Sequence, residues 1–159
     1  MACSAAGAKE VVHVDASKGM VQWAKENMAL SHLENNTIRF IVDDVLKFVQ
    51  REKRRGHKYQ GIVMDPPSYG RGPNGEMWKL EEQLPQLVNA CLDILDDKPC
   101  FFLINAYTTG FSSITLENIL RMTAQKRFEG ITVEAGEIGL PVSRNNLTLP
   151  CGIYGKFWL

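Results

Sequence analysis

The sequence lacks a long apolar run, since none approaches the ~20 residues that a helix needs to cross a bilayer. Its first residues, 1–7, lack the basic start and the extended apolar stretch of a secretory signal. It also lacks a net charge, because 18 basic side chains balance 18 acidic ones. A polyanion would therefore have to be bound by a local patch. These absences favour a cytoplasmic protein that does not span a membrane.

Cysteine pairs and metal-ligand spacings are absent as well. The chain has four cysteines and no CxxC motif: Cys3, Cys91, Cys100 and Cys151. Reduced, buried thiols fit this spacing better than a disulfide framework or a zinc site. None of the three histidines has the spacing of a metal ligand, so we predict no metal site.

Short apolar strands alternate with amphipathic helices along the 159 residues. Strands are predicted at 11–14, 37–42, 61–64 and 99–105, and helices at 17–30, 45–55, 79–95 and 113–124. The last two segments, 131–138 and 152–158, indicate an antiparallel hairpin. The alternation predicts an α/β fold with a parallel sheet, formed as a single domain over 1–159.

Acidic residues follow three of the predicted parallel strands: Asp15, the pair Asp43-Asp44, and Asp65. The carboxyl ends of parallel strands border the ligand crevice of an open α/β sheet. An aspartate after a strand often caps a helix or forms a turn, and that explanation suffices for any one of them. The three together favour a shared ligand site.

The first two acidic positions suit a nucleotide. Asp15 is placed to accept hydrogen bonds from two ribose hydroxyls. Asp44 could accept from the exocyclic amine of an adenine while the N–H of Val45 meets a ring nitrogen. The sequence does not separate Asp43 from Asp44 in this role.

The most specific segment is Asp65-Pro66-Pro67-Ser68-Tyr69. Two prolines fix φ and remove two donors, which leaves a rigid row of carbonyl acceptors. Such a row suits a flat base that carries an amine, and the base could stack on Tyr69 for ~1–3 kcal/mol. The alternative is a proline-stiffened loop that the tyrosine anchors.

This segment resembles motif IV of class I S-adenosyl-L-methionine-dependent methyltransferases. As in that class, it follows a buried strand, and strands ending at Asp15 and at Asp43-Asp44 precede it in the sequence. Within that class it is similar to the bacterial 23S ribosomal RNA methyltransferases. The resemblance implies a Rossmann-like sheet, S-adenosyl-L-methionine as cofactor, and a base of RNA, ribosomal RNA foremost, as substrate. The catalytic residues it implies are Asp65, Pro66, Pro67, Ser68 and Tyr69. The cofactor-binding residues it implies are Asp15, Ala16, Ser17, Asp43, Asp44, Val45 and Asp65.

Two departures from this family change the expectations. Nothing precedes Met1 where the family has its first central strand and glycine-rich turn, so we expect a fold without them, weak cofactor affinity and open strand edges that favour self-association. The loop after the fourth strand, 105–110, holds no cysteine. Covalent activation of a carbon needs such a nucleophile, so direct transfer to a nitrogen is favoured.

Two alternatives remain open. Residues 70–75 match GxGxxG, which would suit a nicotinamide-dependent oxidoreductase, but Pro73 lacks an N–H and no second strand with an acidic end follows at the expected distance. The other alternative is an inactive remnant that serves as a binding or dimerisation module. Trp78, just beyond the glycines, is interpreted as a packing group.

Overall fold

The computed structural model describes residues 1–71 and 77–159. The chain forms two compact units, Met1–Arg55 and Gly56–Leu159. That both act as one methyltransferase domain stays a prediction.

The first unit is a parallel strand pair with helices. In chain order its elements are α1 (Ala2–Ala5), β1 (Val11–Asp15), α2 (Lys18–Leu30), β2 (Ile38–Val42) and α3 (Val45–Arg55). Strand β1 pairs with β2 so that Asp15 lies opposite Val42. Val21 of α2 and Phe48 and Val49 of α3 are buried. Helix α3 ends on three basic residues, which favours its C-terminus because a helix carries partial negative charge there.

The second unit contains a mixed sheet and a small hairpin. Its elements are β3 (Gly61–Met64), β4 (Tyr69–Arg71), β5 (Met77–Lys79), α4 (Leu80–Asp93), β6 (Phe101–Ala106), α5 (Ser113–Ala124), β7 (Thr132–Pro141) and β8 (Thr148–Trp158). The four-stranded sheet has the order β3-β6-β8-β7. Strands β3 and β6 are parallel, whereas β8 is antiparallel to both β6 and β7. The predicted C-terminal antiparallel hairpin is confirmed.

Helix α5 packs on β7 and β8, and helix α4 packs against α5. The rings of Phe102 and Phe157 stack with centroids 5.4 Å apart. Leu84 of α4 and Leu116 and Leu120 of α5 are fully buried. The apolar side chains whose three- and four-residue spacing predicts α4 therefore lie in the core of this unit.

In the part of the chain that the structure describes, β1 and β3 each have one open edge. Among residues 1–71 and 77–159, β1 pairs only with β2, and the four-stranded sheet ends at β3. Each unit thus has a parallel strand whose second edge is open, as the sequence leads one to expect. Open edges of this kind can accept a further strand.

Candidate functional site

The Asp65–Tyr69 segment begins directly after β3. Pro66 is buried, whereas Asp65 and Pro67 are exposed. The carbonyl of Pro67 accepts a hydrogen bond from Nε1 of Trp78 at 2.6 Å, and the carbonyl of Ser68 accepts from the N–H of Leu80 at 3.1 Å. The prediction that all these carbonyls are free acceptors is therefore wrong for Pro67 and Ser68. The Asp65 carboxyl and the Pro66 carbonyl remain as candidates for contact with a base.

Trp78 has a role that sequence reasoning missed. Its indole N–H fixes the Pro67 carbonyl, so it holds the candidate site in shape rather than only packing. A tryptophan shortly after a glycine-containing segment was the available signal. That signal did not reveal the hydrogen bond, because the bond depends on pairing between β4 and β5.

Ser68 joins this segment to a second loop. The hydroxyl of Thr108, in the loop between β6 and α5, donates to the hydroxyl of Ser68 at 2.7 Å. Since β3 and β6 are parallel neighbours, both loops lie at the carboxyl end of the same sheet. The arrangement places the loop after β6 beside the candidate catalytic segment.

Tyr69 lies in a hairpin. Strand β4 pairs antiparallel with β5, and Tyr69 is 51% exposed, with its hydroxyl donating to the sulfur of Met77 at 2.9 Å. An exposed ring can offer a face for stacking. In the literal GxGxxG match, Gly70 and Arg71 belong to β4, whereas a dinucleotide-binding turn leads from a strand into a helix. The rest of that motif, 72–75, lies outside the described residues.

The Asp65 carboxyl has a perturbed pKa. Although the residue is exposed as a whole, partial burial of the carboxyl group raises its pKa above the ordinary value of 3.8. Burial disfavours the charged form, and a perturbed carboxyl at the end of a parallel strand is typical of a functional site. A carboxylate with a raised pKa is a better proton acceptor than an ordinary one.

Asp15, in the first unit, is half-buried at the end of β1. Its Oδ1 accepts a hydrogen bond from the N–H of Ser17 at 2.7 Å. Asp15 therefore forms a turn ahead of α2, which is an ordinary role for an aspartate after a strand. Within the described residues no donor meets Oδ2, so this oxygen is available to a ribose hydroxyl.

Ala16 and Ser17 form the exposed turn between β1 and α2. The hydroxyl of Ser17 accepts from the N–H of Met20 at 3.3 Å and thereby caps α2. Its side chain is thus committed to the helix, and only the turn itself could contact a cofactor.

We expect Ser17→Ala to lower the free energy of unfolding by about 1 kcal/mol, because α2 loses its N-cap acceptor. Urea denaturation measures this change, with Ser17→Asp as the matched variant that keeps an acceptor. Equal losses in both variants would contradict the capping role.

The structure distinguishes Asp43 from Asp44. Both oxygens of Asp43 are engaged: Oδ2 with Arg51 at 2.7 Å, and Oδ1 with the N–H of Asp44 at 2.9 Å. Asp44 is exposed and uses one oxygen, Oδ1, to accept from the N–H of Lys47 at 2.9 Å. Asp44 is therefore the better candidate for an adenine amine.

Val45 begins α3 and is 37% exposed. The first N–H groups of a helix have no partner within the helix, so this position can offer a donor to a ring nitrogen. Together with Asp15 and Asp44, the first unit provides acceptors and a donor that fit the adenosine half of S-adenosyl-L-methionine.

The cysteines differ from the expectation of buried thiols. Cys91 is buried, which raises the pKa of its thiol to about 12, but Cys100 and Cys151 are exposed. Cys151 lies in β8 and borders the same cavity as Tyr107 and Thr108. The loop after β6 itself holds no cysteine, yet the fold brings one to it from β8. Sequence order alone could not show this proximity.

The described part of the chain, 1–71 and 77–159, has neither a metal-binding cluster nor a membrane-spanning helix. These residues contain no group of three or more His, Cys, Asp or Glu side chains able to hold a metal ion. None of the helices in that part of the chain has the length and apolar content of a transmembrane helix.

No family model matches the chain. It is similar to the ribosomal RNA large subunit methyltransferase I of Tolumonas auensis, with 38% identity over 85 residues, which cover 54% of this chain and 19% of that protein. The protein of the same name from Salmonella arizonae is 34% identical over 85 residues, which cover 18% of that protein. The chain thus spans about a fifth of the length of these curated relatives.

Solved structures extend the likeness to almost the whole chain. The SAM-dependent methyltransferase from Agrobacterium tumefaciens has a TM-score of 0.87 and 38% identity over 98% of this chain and 50% of its own. A methyltransferase complexed with SAH has a TM-score of 0.68 at 19% identity, over 95% of this chain and 40% of its own, and shows the fold alone. The resemblance is confirmed: the fold is the Rossmann-like fold of class I methyltransferases, and the relatives are named for S-adenosyl-L-methionine or for ribosomal RNA methylation.

Proposed function

We propose that the protein of which this chain is part transfers a methyl group from S-adenosyl-L-methionine to a nitrogen of a base in ribosomal RNA. The observation that carries the proposal is the Asp65 carboxyl, which is partly desolvated and follows a parallel strand in a turn stiffened by two prolines. Relatives named as ribosomal RNA methyltransferases support RNA as the substrate.

We assign the adenosine half of the cofactor to the first unit. Oδ2 of Asp15 accepts from the ribose, the free oxygen of Asp44 accepts from the adenine amine, and the Val45 N–H donates to a ring nitrogen. Ala16 and Ser17 contribute the turn that borders the ribose. Asp43, held by Arg51, keeps α3 in place rather than contacting the ligand. The predicted contact of Asp65 with the cofactor stays a prediction.

The second unit positions the target base. When bound, the cofactor supplies an electrophilic methyl group on a sulfonium. The Asp65 carboxylate accepts a hydrogen bond from the amine of the base and orients the nitrogen lone pair. The base nitrogen would lose a proton on accepting that methyl group, and the Asp65 carboxylate would accept this proton. Positioning of this kind can supply most of the rate enhancement of a methyl transfer.

The proximity of Cys151 requires a test of the nitrogen preference, because a thiolate could activate a carbon of the base. The complete protein is incubated with methyl-labelled S-adenosyl-L-methionine and ribosomal RNA, and the nucleosides are then separated. We expect label on a ring or exocyclic nitrogen and unchanged transfer in Cys151→Ser. Label on carbon that Cys151→Ser abolishes would contradict direct transfer, and absence of label would contradict the methyltransferase proposal.

Two further parts of the proposal concern assembly and location. The open edges of β1 and β3 offer pairing sites, so we propose self-association through them. Sedimentation analysis of the chain 1–159 should show a concentration-dependent dimer, and a monomer at all concentrations would contradict self-association. A ribosomal RNA substrate also agrees with the cytoplasmic localisation expected from the sequence.

A further inference from the structure

The cavity that Cys151 borders lies at the carboxyl end of β6, where the loop before α5 meets the β7–β8 ribbon. It has a volume of about 410 Å³, and its walls include Tyr107, Phe111, Glu137 and Pro150. Ligand pockets of proteins commonly measure ~300–1,000 Å³. The cavity is therefore large enough for a small planar ligand, and the residues proposed for cofactor binding do not line it.

The cavity adjoins the candidate catalytic segment without being part of it. Thr108 lies in its wall, and the hydroxyl of Thr108 donates to Ser68 at 2.7 Å. A ligand in the cavity would thus lie one side chain away from the Asp65–Tyr69 segment. Unstacked bases of adjacent nucleotides in single-stranded RNA can occupy neighbouring pockets of a protein.

The backbone around the cavity is built for close approach. Gly152 in β8 has φ +131°, and a Cβ at this position would lie 2.5 Å from the carbonyl oxygen of Ala106. The pairing of β7 with β8 also shifts register between Ile138 and Gly139, one residue after Glu137. Irregularities of this kind are over-represented beside active sites, where they redirect side chains.

The side chains in the wall match the chemistry of a base. Tyr107 is 57% exposed and offers an aromatic face, and Phe111 and Pro150 add flat apolar surface. Glu137 is exposed on β7, where it lies opposite Ile153. Its carboxylate repels a phosphate but accepts hydrogen bonds from an amino group on a base edge, as acidic side chains do with cytosine.

We infer that this cavity binds a base carrying an exocyclic amino group, in single-stranded RNA next to the methylated nucleotide. The inference rests on the proposed function for its substrate. Tyr107 stacks on the base, and Glu137 accepts from its amino group. Uracil presents a carbonyl oxygen in place of that amino group, so the cavity discriminates against it.

Fluorescence anisotropy of the complete protein with short labelled oligo-C, oligo-A and oligo-U tests the inference. We expect oligo-C and oligo-A to bind about 10-fold more tightly than oligo-U, and Glu137→Gln to remove that preference, because an amide can also donate to uracil. Tyr107→Ala should weaken all three by about 10-fold, whereas Tyr107→Phe keeps the affinity.

The control is Glu129→Gln, which removes the same charge from an exposed position before β7. An unchanged base preference in Glu137→Gln, or an equal change in the control, would overturn the inference. The methyl-transfer assay of the unaltered protein separates the two proposals. Methyl transfer without a base preference would support the proposed function and contradict the inference about the cavity. A base preference without methyl transfer would support the cavity as a base-binding site and contradict the proposed function.

Discussion

Replacing Asp65 with alanine should lower methyl transfer by the complete protein roughly 100-fold or more, the usual loss when a positioned proton acceptor is removed. The carboxylate is the group proposed to orient the amine of the base and to take its proton. The fold should persist, because Asp65 is exposed and lies after the last residue of β3. Single-turnover assays with labelled cofactor measure the loss.

Asp97→Ala is the matched control, since Asp97 is an exposed aspartate between α4 and β6. It should retain full activity. If Asp65→Ala kept half of the turnover of the unaltered protein, Asp65 would have to be removed from the catalytic residues.

The raised pKa of Asp65 gives the same proposal a pH dependence. Transfer needs the ionised carboxylate, so the rate should fall as pH drops through a pKa above the ordinary 3.8. For stability the sign is opposite. Asp65 binds its proton more tightly in the native state than in the unfolded state. The charged carboxylate therefore lowers the free energy of unfolding at pH values above its raised pKa. Asp65→Asn should therefore be inactive at neutral pH with an equal or higher melting temperature, and a lower one would contradict the desolvation.

Gly152→Ala should lower the free energy of unfolding by about 3 kcal/mol or more, because backbone strain and a steric clash add at this position. The residue has φ +131°, which side chains of L-residues rarely adopt. A Cβ would also lie 2.5 Å from the Ala106 carbonyl oxygen and 3.3 Å from the Cβ of Tyr107. Relief would have to come from backbone movement of β6 or β8, and urea denaturation measures the cost.

Gly130→Ala separates the two causes. Gly130 also has a positive φ, +81°, but a Cβ there would meet nothing within 4 Å. Its cost should be the conformational strain alone, about 1 kcal/mol. Equal losses at the two glycines would show that the close approach of β8 to Ala106 contributes nothing.

Local patterns predicted most elements of the fold. The strand Gly61–Met64 and the helices Val45–Arg55 and Ser113–Ala124 have the bounds that the sequence indicates. The spacing of apolar residues within a single segment determines each of these elements, and this spacing can be seen in the sequence alone. The hairpin β7–β8 extends further than predicted, to Pro141 and back from Thr148. Its outer part is exposed, so no apolar alternation reveals it.

The sequence predicts a site residue when its position at a strand end is enough to identify it. It does not predict an interaction that depends on a partner residue from elsewhere in the chain. Asp15, Asp44 and Asp65 follow strands, and strand ends can be read from the sequence. The engagement of the Pro67 carbonyl requires Trp78, which arrives through the pairing of two three-residue strands too short to leave a pattern. Likewise, Cys151 reaches the loop after β6 only through the register of β8.

Calorimetric titration of the complete protein with S-adenosylhomocysteine tests the central claim, that the carboxylate ending β1 binds the cofactor. We predict saturable binding that Asp15→Ala weakens about 10-fold or more, since hydrogen bonds to a charged acceptor are lost. Glu34→Ala, which removes an exposed carboxylate of the same unit, should bind normally. Equal affinity in Asp15→Ala and the unaltered protein would contradict the claim, and so would the absence of binding at millimolar ligand.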